Sequence, residues 1–235
     1  MNKSREVENG SSIRREWLAA TALIDSDHPR VVAFAQEVTE GLVGDRARGV
    51  ALYHAVRDRI RYNPYIADMS PEGMKASRVL VDGESFCVPK AILLAAAARA
   101  LGIPSRLAFA DVRNHLTSDK LKRSMRGSDL FVFHGQTLLL LDGHWSKSTP
   151  AFNLSLCEKA GILPLEYDGL SDSIFHPFDR AGNRHMEYVN DRGTFDDMPY
   201  DEFMGAMRQH YGMQTSSGQP PGGAADFEQD AYAGD

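Results

Sequence analysis

The residues best suited to chemistry begin with a cysteine, Cys87, at the predicted start of a helix. Gly83 to Phe86 is turn-like, Pro89 suits a first helical turn, and the apolar run that follows ends at Gly102. Unpaired backbone N–H groups and the helix dipole favour negative charge there, so they lower the pKa of a thiol toward the reactive thiolate. A buried core cysteine is the commoner fate of a free thiol. Position alone therefore makes Cys87 a candidate nucleophile and no more.

The composition of the chain limits the classes of function and the partners that fit a cysteine nucleophile. The chain has 235 residues, 43% of them hydrophobic and 25% charged, which suits one globular domain. A net charge of -6 argues against a nucleic-acid partner and gives no reason to expect a membrane partner. The two cysteines, Cys87 and Cys157, form neither a disulfide framework nor a zinc motif, so we expect no metal and no other cofactor. A polar N-terminus and the lack of a long apolar run predict a cytoplasmic protein.

The region before Cys87 has the pattern of a helical scaffold. Residues 13–24 predict a short helix, and Asp27 to Pro29 has the residues of a second helix start. A third helix carries an apolar stripe between positions 52 and 60 at helical spacing. These helices would surround the helix that begins near Cys87.

After Gly102 the hydrophobic pattern alternates, as is typical of strands. Residues 106–112 and 129–141 predict two strands, and Asp142-Gly143 is a strong signal for a two-residue hairpin loop. Short strands or loops follow, and residues 200–211 predict a late helix. We divide the chain into a flexible N-terminus (1–12), a single domain (13–212) and a disordered C-terminal tail (213–235).

The hairpin allows one estimate of side-chain positions around a histidine. If Asp142-Gly143 forms the loop and pairing continues without a bulge, His134 lies opposite Ala151. Thr149 and Asn153 are then its diagonal neighbours and point to the same face. The glycine that follows His134 leaves room for another group to approach closely. A cysteine at a helix start and a histidine on such a hairpin suit nucleophilic catalysis.

These motifs together resemble the transglutaminase-like superfamily, which has the papain-like cysteine fold. The matching segments are Gly-Ile-Pro-Ser-Arg at 102–106, His134, Asp-Gly-His-Trp at 142–145 and Arg-Ile-Arg-Tyr at 59–62. The resemblance covers roughly residues 45–153. It implies an α+β fold in which N-terminal helices and a nucleophile helix pack on an antiparallel sheet. It also implies that Cys87 is the nucleophile and His134 the base.

The third catalytic residue departs from the family pattern. The family has an aspartate shortly after the tryptophan and before a proline, and Thr149 takes that place here. A threonine accepts a hydrogen bond but cannot supply the negative charge that stabilises an imidazolium. Asp111, at the end of the preceding strand, and Asn153 are possible substitutes. We assign Cys87, His134 and Asp111 as catalytic, with Thr149 and Asn153 as alternatives for the third residue.

Asp111 has a second reading, as a strand-end residue that caps the turn over 112–115. Some biosynthetic members of the superfamily, including Dieckmann-type cyclases, are similar in using an aspartate upstream of the histidine. Both readings of Asp111 stay open at this point.

The resemblance implies an enzyme that forms a thioester acyl-enzyme on Cys87 and passes the acyl group to water or an amine. The substrate would be a peptide, an amide or a thioester. One alternative is a biosynthetic thioester-using acyltransferase or Dieckmann-type cyclase, and another is a non-catalytic protein-binding scaffold. A basic run could attract an acidic carrier protein; it consists of Lys120, Lys122, Arg123 and Arg126.

Overall fold

The computed structural model describes residues 13–66, 68–212 and 227–230, and these form helices packed on a four-stranded antiparallel sheet. The helices are α1 (Pro29–Val38), α2 (Asp45–Arg59), α3 (Ala76–Asp82), α4 (Cys87–Ala100), α5 (Asp119–Ser124), α6 (Leu154–Ala160), α7 (Tyr200–Tyr211) and α8 (Phe227–Asp230). The strands are β1 (Arg61–Tyr62), β2 (Glu84–Ser85), β3 (Ser105–Asn114), β4 (Leu130–Leu141), β5 (His144–Ser148) and β6 (Met186–Phe195). The predicted α+β fold class is confirmed.

Helix α4 is the centre of the fold. It packs against α1, α2 and α3 and against β3 and β4, and residues 91–98 are fully buried. A helix that is apolar all round has to be enclosed in this way. It ends at Ala100, and beyond it Gly102, with a φ of +75°, lets the N–H of Ile103 reach the carbonyl of Ala98 at 2.9 Å. The N-cap is Phe86, and it makes no side-chain hydrogen bond to the helix.

A buried lysine fixes the first turn of α4 against α2. The side chain of Lys90 has no exposed surface, and its Nζ donates hydrogen bonds to the carbonyls of Arg57, at 3.0 Å, and Ile60. Both carbonyls lie at the C-terminal end of α2, where the helix dipole favours a cation. The position of Cys87, one turn before Lys90, is therefore tied to the end of α2.

The four-stranded sheet has the order β5-β4-β3-β6, and every neighbouring pair is antiparallel. The predicted hairpin is confirmed, because Leu141 lies opposite His144 across the Asp142-Gly143 loop. The pairing ends where Thr137 faces Ser148. Pro150 has no N–H to donate to a longer ladder. The predicted pairing of His134 with Ala151 is therefore wrong.

Two segments differ from their predictions because tertiary contacts outweigh the local pattern. Residues 13–24 do not form a helix: they contain only a 3-10 turn at Arg15–Trp17. Trp17 instead donates to Asp196 at 3.1 Å and packs edge-on against Trp145 at 5.1 Å. Strand β6 is longer than the short strands or loops expected in this region, because its turn-like residues 190–193 continue the pairing with β3.

The last described residues form a short helix near the C-terminal end of the chain. Residues 227–230 form α8, and Phe227 is buried against Tyr62 with ring centroids 5.5 Å apart. The predicted flexible N-terminus (1–12) and the rest of the predicted tail (213–235) lie outside the described residues, so the division of the chain stays a prediction. Within the described ranges, no helix combines the length and the apolar character needed to span a bilayer.

A glycine-to-alanine pair tests the packing of α4 on β4. A Cβ added at Gly135 would lie 2.9 Å from the Cα of Val88, so one backbone must move. We expect Gly135→Ala to lower the free energy of unfolding by about 1–3 kcal/mol, as overpacking does. Gly205 in α7 has open space at its Cβ position, so Gly205→Ala should be neutral or raise stability by up to about 1 kcal/mol. Urea unfolding of both variants measures this, and equal effects would contradict the close contact.

Candidate active site

The thiol of Cys87 lies where the first turn of α4 meets β4. Backbone hydrogen bonding from Gly135, Val88 and Cys87 itself is directed at this thiol. Gly135 makes the approach possible, because any larger residue would collide with the backbone of Val88. Since His134 immediately precedes Gly135 in β4, the structure brings these two predicted site residues together.

Burial, rather than the helix terminus, decides the protonation of Cys87 in this arrangement. The residue is only 8% exposed, and loss of solvent raises the pKa of the thiol to about 11. The N–H groups of Gly135 and Val88 lower the pKa but do not compensate for the burial. The sequence-based expectation of a lowered pKa is therefore wrong for the closed site, and the resting thiol is neutral at pH 7.

His134 is also buried and neutral. Its side chain packs against the ring of Phe175, with centroids 4.8 Å apart, and burial lowers the pKa of the imidazole to about 3. Within the described ranges its buried Nε2 has no hydrogen-bond partner, so it is not bonded to the Cys87 thiol at rest. Both residues are therefore buried and neutral, and the Nε2 atom of His134 has no described partner.

Asp111 supports the strand that carries His134. Ala110 faces His134 but Val112 faces Phe131, so a bulge places two β4 residues opposite Asp111. One of them, Phe133, has a left-handed φ of +59°, and its N–H donates to Asp111 Oδ1 at 3.0 Å. The carboxylate therefore satisfies a backbone donor that the bulge leaves without a ladder partner.

The other partners of Asp111 hold its carboxylate in place. Arg192 Nε donates to Oδ1 at 2.5 Å and Asn190 Nδ2 donates to Oδ2 at 3.2 Å, both from β6. Although burial acts to raise it, these hydrogen bonds keep the pKa of Asp111 below its usual value. No described hydrogen bond joins this carboxylate to His134. The described contacts of Asp111 support the strand that carries His134, and its assignment as third catalytic residue stays a prediction.

Neither alternative for the third residue bonds to His134. Asn153 begins α6, where its Oδ1 accepts a hydrogen bond from the N–H of Tyr62 at 2.9 Å and its Nδ2 donates to Ser155 at 2.8 Å. Thr149 Oγ1 accepts a hydrogen bond from Gln136 Nε2 at 3.3 Å. The described residues therefore contain a cysteine–histidine pair with no carboxylate hydrogen-bonded to the histidine.

The phenyl ring of Phe175 is positioned over His134 by a cluster of polar side chains, which the sequence did not reveal. Gln136, two residues along β4, also donates to the hydroxyl of Tyr188 at 3.1 Å. The same hydroxyl accepts the N–H of Phe175 at 3.2 Å, which holds the phenyl ring that covers His134. The two-residue period of a strand could have indicated Gln136. Nothing local in the sequence indicates Phe175 or Tyr188, which lie in the region expected to form short strands or loops.

Among the described residues, neither Cys157 nor any acidic side chain apart from Asp111 adds a further catalytic or metal-binding group to the site. Cys157 is buried in α6, where its sulfur lies 3.9 Å from the carbonyl of Phe152 and burial raises its pKa to about 12. In the part of the chain that the structure describes, no group of three His, Cys, Asp or Glu side chains could hold a metal ion. The site offers a thiol, an imidazole and backbone N–H groups, which are the parts needed for nucleophilic acyl substitution.

The pKa of His134 predicts its behaviour in acid. An unfolded chain protonates this ring near pH 6.5, whereas the folded protein does so only near pH 3. The unfolded state therefore binds more protons between these values, so this residue makes the free energy of unfolding fall as pH drops below 6.5, by at most about 1.4 kcal/mol per pH unit. Nitrogen-15 NMR of the ring, assigned with His134→Gln, should show a neutral imidazole from pH 8 to about 4.5. A midpoint between pH 6 and 7 would contradict the burial.

A pair of substitutions separates positioning from catalysis at Asp111. Asp111→Ala removes the acceptor for the Phe133 N–H, so we expect stability to fall by about 1–3 kcal/mol and turnover by about tenfold or more. Asp111→Asn keeps an oxygen for that N–H and should retain turnover to within about threefold. Urea unfolding and rates on the same preparations measure both effects. Equal loss of turnover in the two variants would support a catalytic role for the charge.

Comparison with solved structures gives remote similarities. A candidate cysteine protease from Cytophaga hutchinsonii is 15% identical with a TM-score of 0.45, over 76% of this chain and 52% of that chain. A candidate protease from Parabacteroides distasonis is 19% identical with a TM-score of 0.36, over 57% of this chain and 26% of that chain. The chain thus spans about half of the first and a quarter of the second. No curated protein is significantly similar to it.

A family model gives the firmer assignment. The model that describes the transglutaminase-like superfamily matches residues 32–148. The matched segment includes both members of the cysteine–histidine pair and the hairpin that follows them. Through residues 32–148, the chain belongs to the transglutaminase-like superfamily.

Proposed function

We propose that this protein is a cysteine-dependent acyl-transfer enzyme in which Cys87 is the nucleophile and His134 the base. The observation that carries the proposal is the placement of the Cys87 thiol against the N–H of Gly135, at a helix start without a side-chain cap and next to His134 in β4. Membership of the superfamily supports a cysteine-based enzyme in general. The acyl donor would be a peptide, an amide or a thioester.

In the first step, the Cys87 sulfur attacks the substrate carbonyl while its proton moves to His134. A new S–C bond forms, and the backbone N–H groups at the start of α4 stabilise the negative oxygen. The C–N, C–O or C–S bond then breaks, and His134 returns the proton to the leaving group. In the second step, water or an amine gives a proton to His134 and attacks the thioester carbonyl. The S–C bond then breaks, and His134 returns the proton to the Cys87 sulfur.

The neutral resting pair determines when the proton moves. With a thiol pKa of about 11 and an imidazole pKa of about 3, the thiolate–imidazolium form is strongly disfavoured in the closed site. Proton transfer therefore accompanies attack on the substrate, as in general base catalysis. No carboxylate is hydrogen-bonded to His134 among the described residues, so in this proposal only the negative charge that develops on the reacting groups offsets the imidazolium.

This proposal differs from the biosynthetic alternatives in the group that accepts the acyl chain from Cys87. A thioester-using acyltransferase or a Dieckmann-type cyclase would share the same acyl-enzyme and differ only in the second step. An acidic carrier protein as donor stays a prediction, based on exposed Arg123 and Arg126 with Lys122 beside them. A non-catalytic scaffold would have no use for a thiol placed beside an unbonded imidazole.

Acylation of the thiol tests the proposal directly. We expect 4-nitrophenyl acetate to add one acetyl group to Cys87, detected by intact mass and peptide mapping, because this ester is small and activated. His134→Ala should slow the acylation by about 100-fold or more, the usual contribution of a general base. Cys87→Ser should remove the labelled peptide, whereas Cys157→Ser is the matched control and should change nothing. Acylation that is indifferent to His134 would favour the scaffold.

A further inference from the structure

Helix α8 places an aromatic side chain in a pocket that borders the candidate active site. The ring of Phe227 packs edge-on against Tyr62 at 5.5 Å and Tyr65 at 5.4 Å, and the residue is 6% exposed. Leu121, Phe131 and Phe152 are among the other residues that line this space. We call it the Phe227 pocket.

One wall of the Phe227 pocket belongs to the strand that carries His134, and another belongs to the strand paired with the segment just before Cys87. Tyr62 in β1 pairs with Ser85 in β2, two residues before Cys87. Phe131 lies in β4, three residues before His134. A side chain in this pocket therefore lies beside both strands that position the pair.

A row of aromatic rings connects the pocket with the imidazole. Tyr62 packs on Phe152 at 4.8 Å, Phe152 on Phe175 at 5.0 Å, and Phe175 on His134 at 4.8 Å. Each ring shields the next from solvent. The occupant of the Phe227 pocket thus borders the same apolar layer that covers His134.

The residue after Phe227 has a partner of opposite charge. Glu228 Oε1 lies 3.0 Å from Lys159 Nζ at the end of α6, and the glutamate side chain is only 10% exposed. The protein therefore recognises this segment by an aromatic ring and by the carboxylate that follows it. Such a pair of contacts is a selective way to bind a peptide.

We propose that the Phe227 pocket is a substrate subsite of the Cys87 site, that it takes a peptide with an aromatic residue followed by an acidic residue, and that α8 occupies it in the resting protein. The inference rests on the proposed function, since the bound peptide would supply the acyl group. Occupation by α8 is consistent with the burial of both Cys87 and His134.

Binding without chemistry is the first test. The full-length Cys87→Ser protein cannot complete the proposed reaction, and adding Phe227→Ala empties the pocket. We expect a fluorescein-labelled peptide with the sequence of residues 224–230 (AADFEQD) to bind this double variant about tenfold or more tighter than Cys87→Ser alone, because the ring no longer competes. Phe178→Ala, which removes an exposed phenylalanine elsewhere, is the matched control and should not change binding. Equal affinity of the double variant and Cys87→Ser overturns the proposal.

Charge reversal tests the acidic part of the preference. In the emptied protein, Lys159→Glu should weaken binding of AADFEQD, and a peptide with lysine in place of the glutamate should recover it. A peptide with alanine in place of phenylalanine should not bind. Glu228→Lys provides a second way to release α8 if Phe227→Ala fails to fold. Equal binding of peptides with and without the phenylalanine ring and the glutamate charge overturns the proposed selectivity.

Alkylation of Cys87 connects the pocket to the site and does not need catalysis. We expect AADFEQD to slow the reaction of Cys87 with iodoacetamide by about threefold or more in Phe227→Ala, because a peptide that extends from the pocket to the site covers the thiol. The same peptide with alanine in place of phenylalanine is the matched control and should not slow the reaction. If the peptide protects Cys87 in this way while acylation fails, the subsite is supported and the proposed enzyme activity is contradicted. Equal alkylation rates with and without AADFEQD overturn the subsite.

Discussion

The close approach of α4 to β4 is the constraint on which the rest of the structure depends. Only a glycine at position 135 lets the strand backbone lie against the first helical turn, and this contact places the thiol of Cys87 beside His134. Lys90 fixes the same turn from the other side through the end of α2. Because the pair is enclosed between these contacts, loss of solvent governs the pKa values of both groups. The result is a site that is assembled but uncharged.

The sequence was most informative where the signals are local. Cys87 at a helix start, the Asp142-Gly143 hairpin and the Gly102 helix end each depend on a few neighbouring residues, and each was found in the structure as predicted. The close approach at the glycine after His134 was expected for the same reason. The protonation of the thiol was not, because the helix terminus is visible in the sequence whereas the depth of burial depends on the whole fold.

Predictions failed where a residue depends on partners distant in the chain. The sequence did not indicate that the carboxylate of Asp111 binds Arg192, 81 positions away, and the N–H of Phe133 at the bulge. Strand β6 runs through residues that locally favour a turn, since β3 supplies its hydrogen bonds. The burial of Phe227 could not be predicted from a segment rich in small and acidic residues.

The pairing of Asp111 with Arg192 also has a consequence for the order in which the protein folds. The bulge that carries His134 is supported by a strand whose residues are synthesised about eighty positions later. Contacts between such distant segments form slowly, because the long intervening loop must be closed before they contribute energy. The helical half, with Cys87 inside it, consists of contacts that are closer in sequence. A growing chain would therefore form the helix that begins with Cys87 before it completes the histidine strand, and the site would be assembled only in the finished protein.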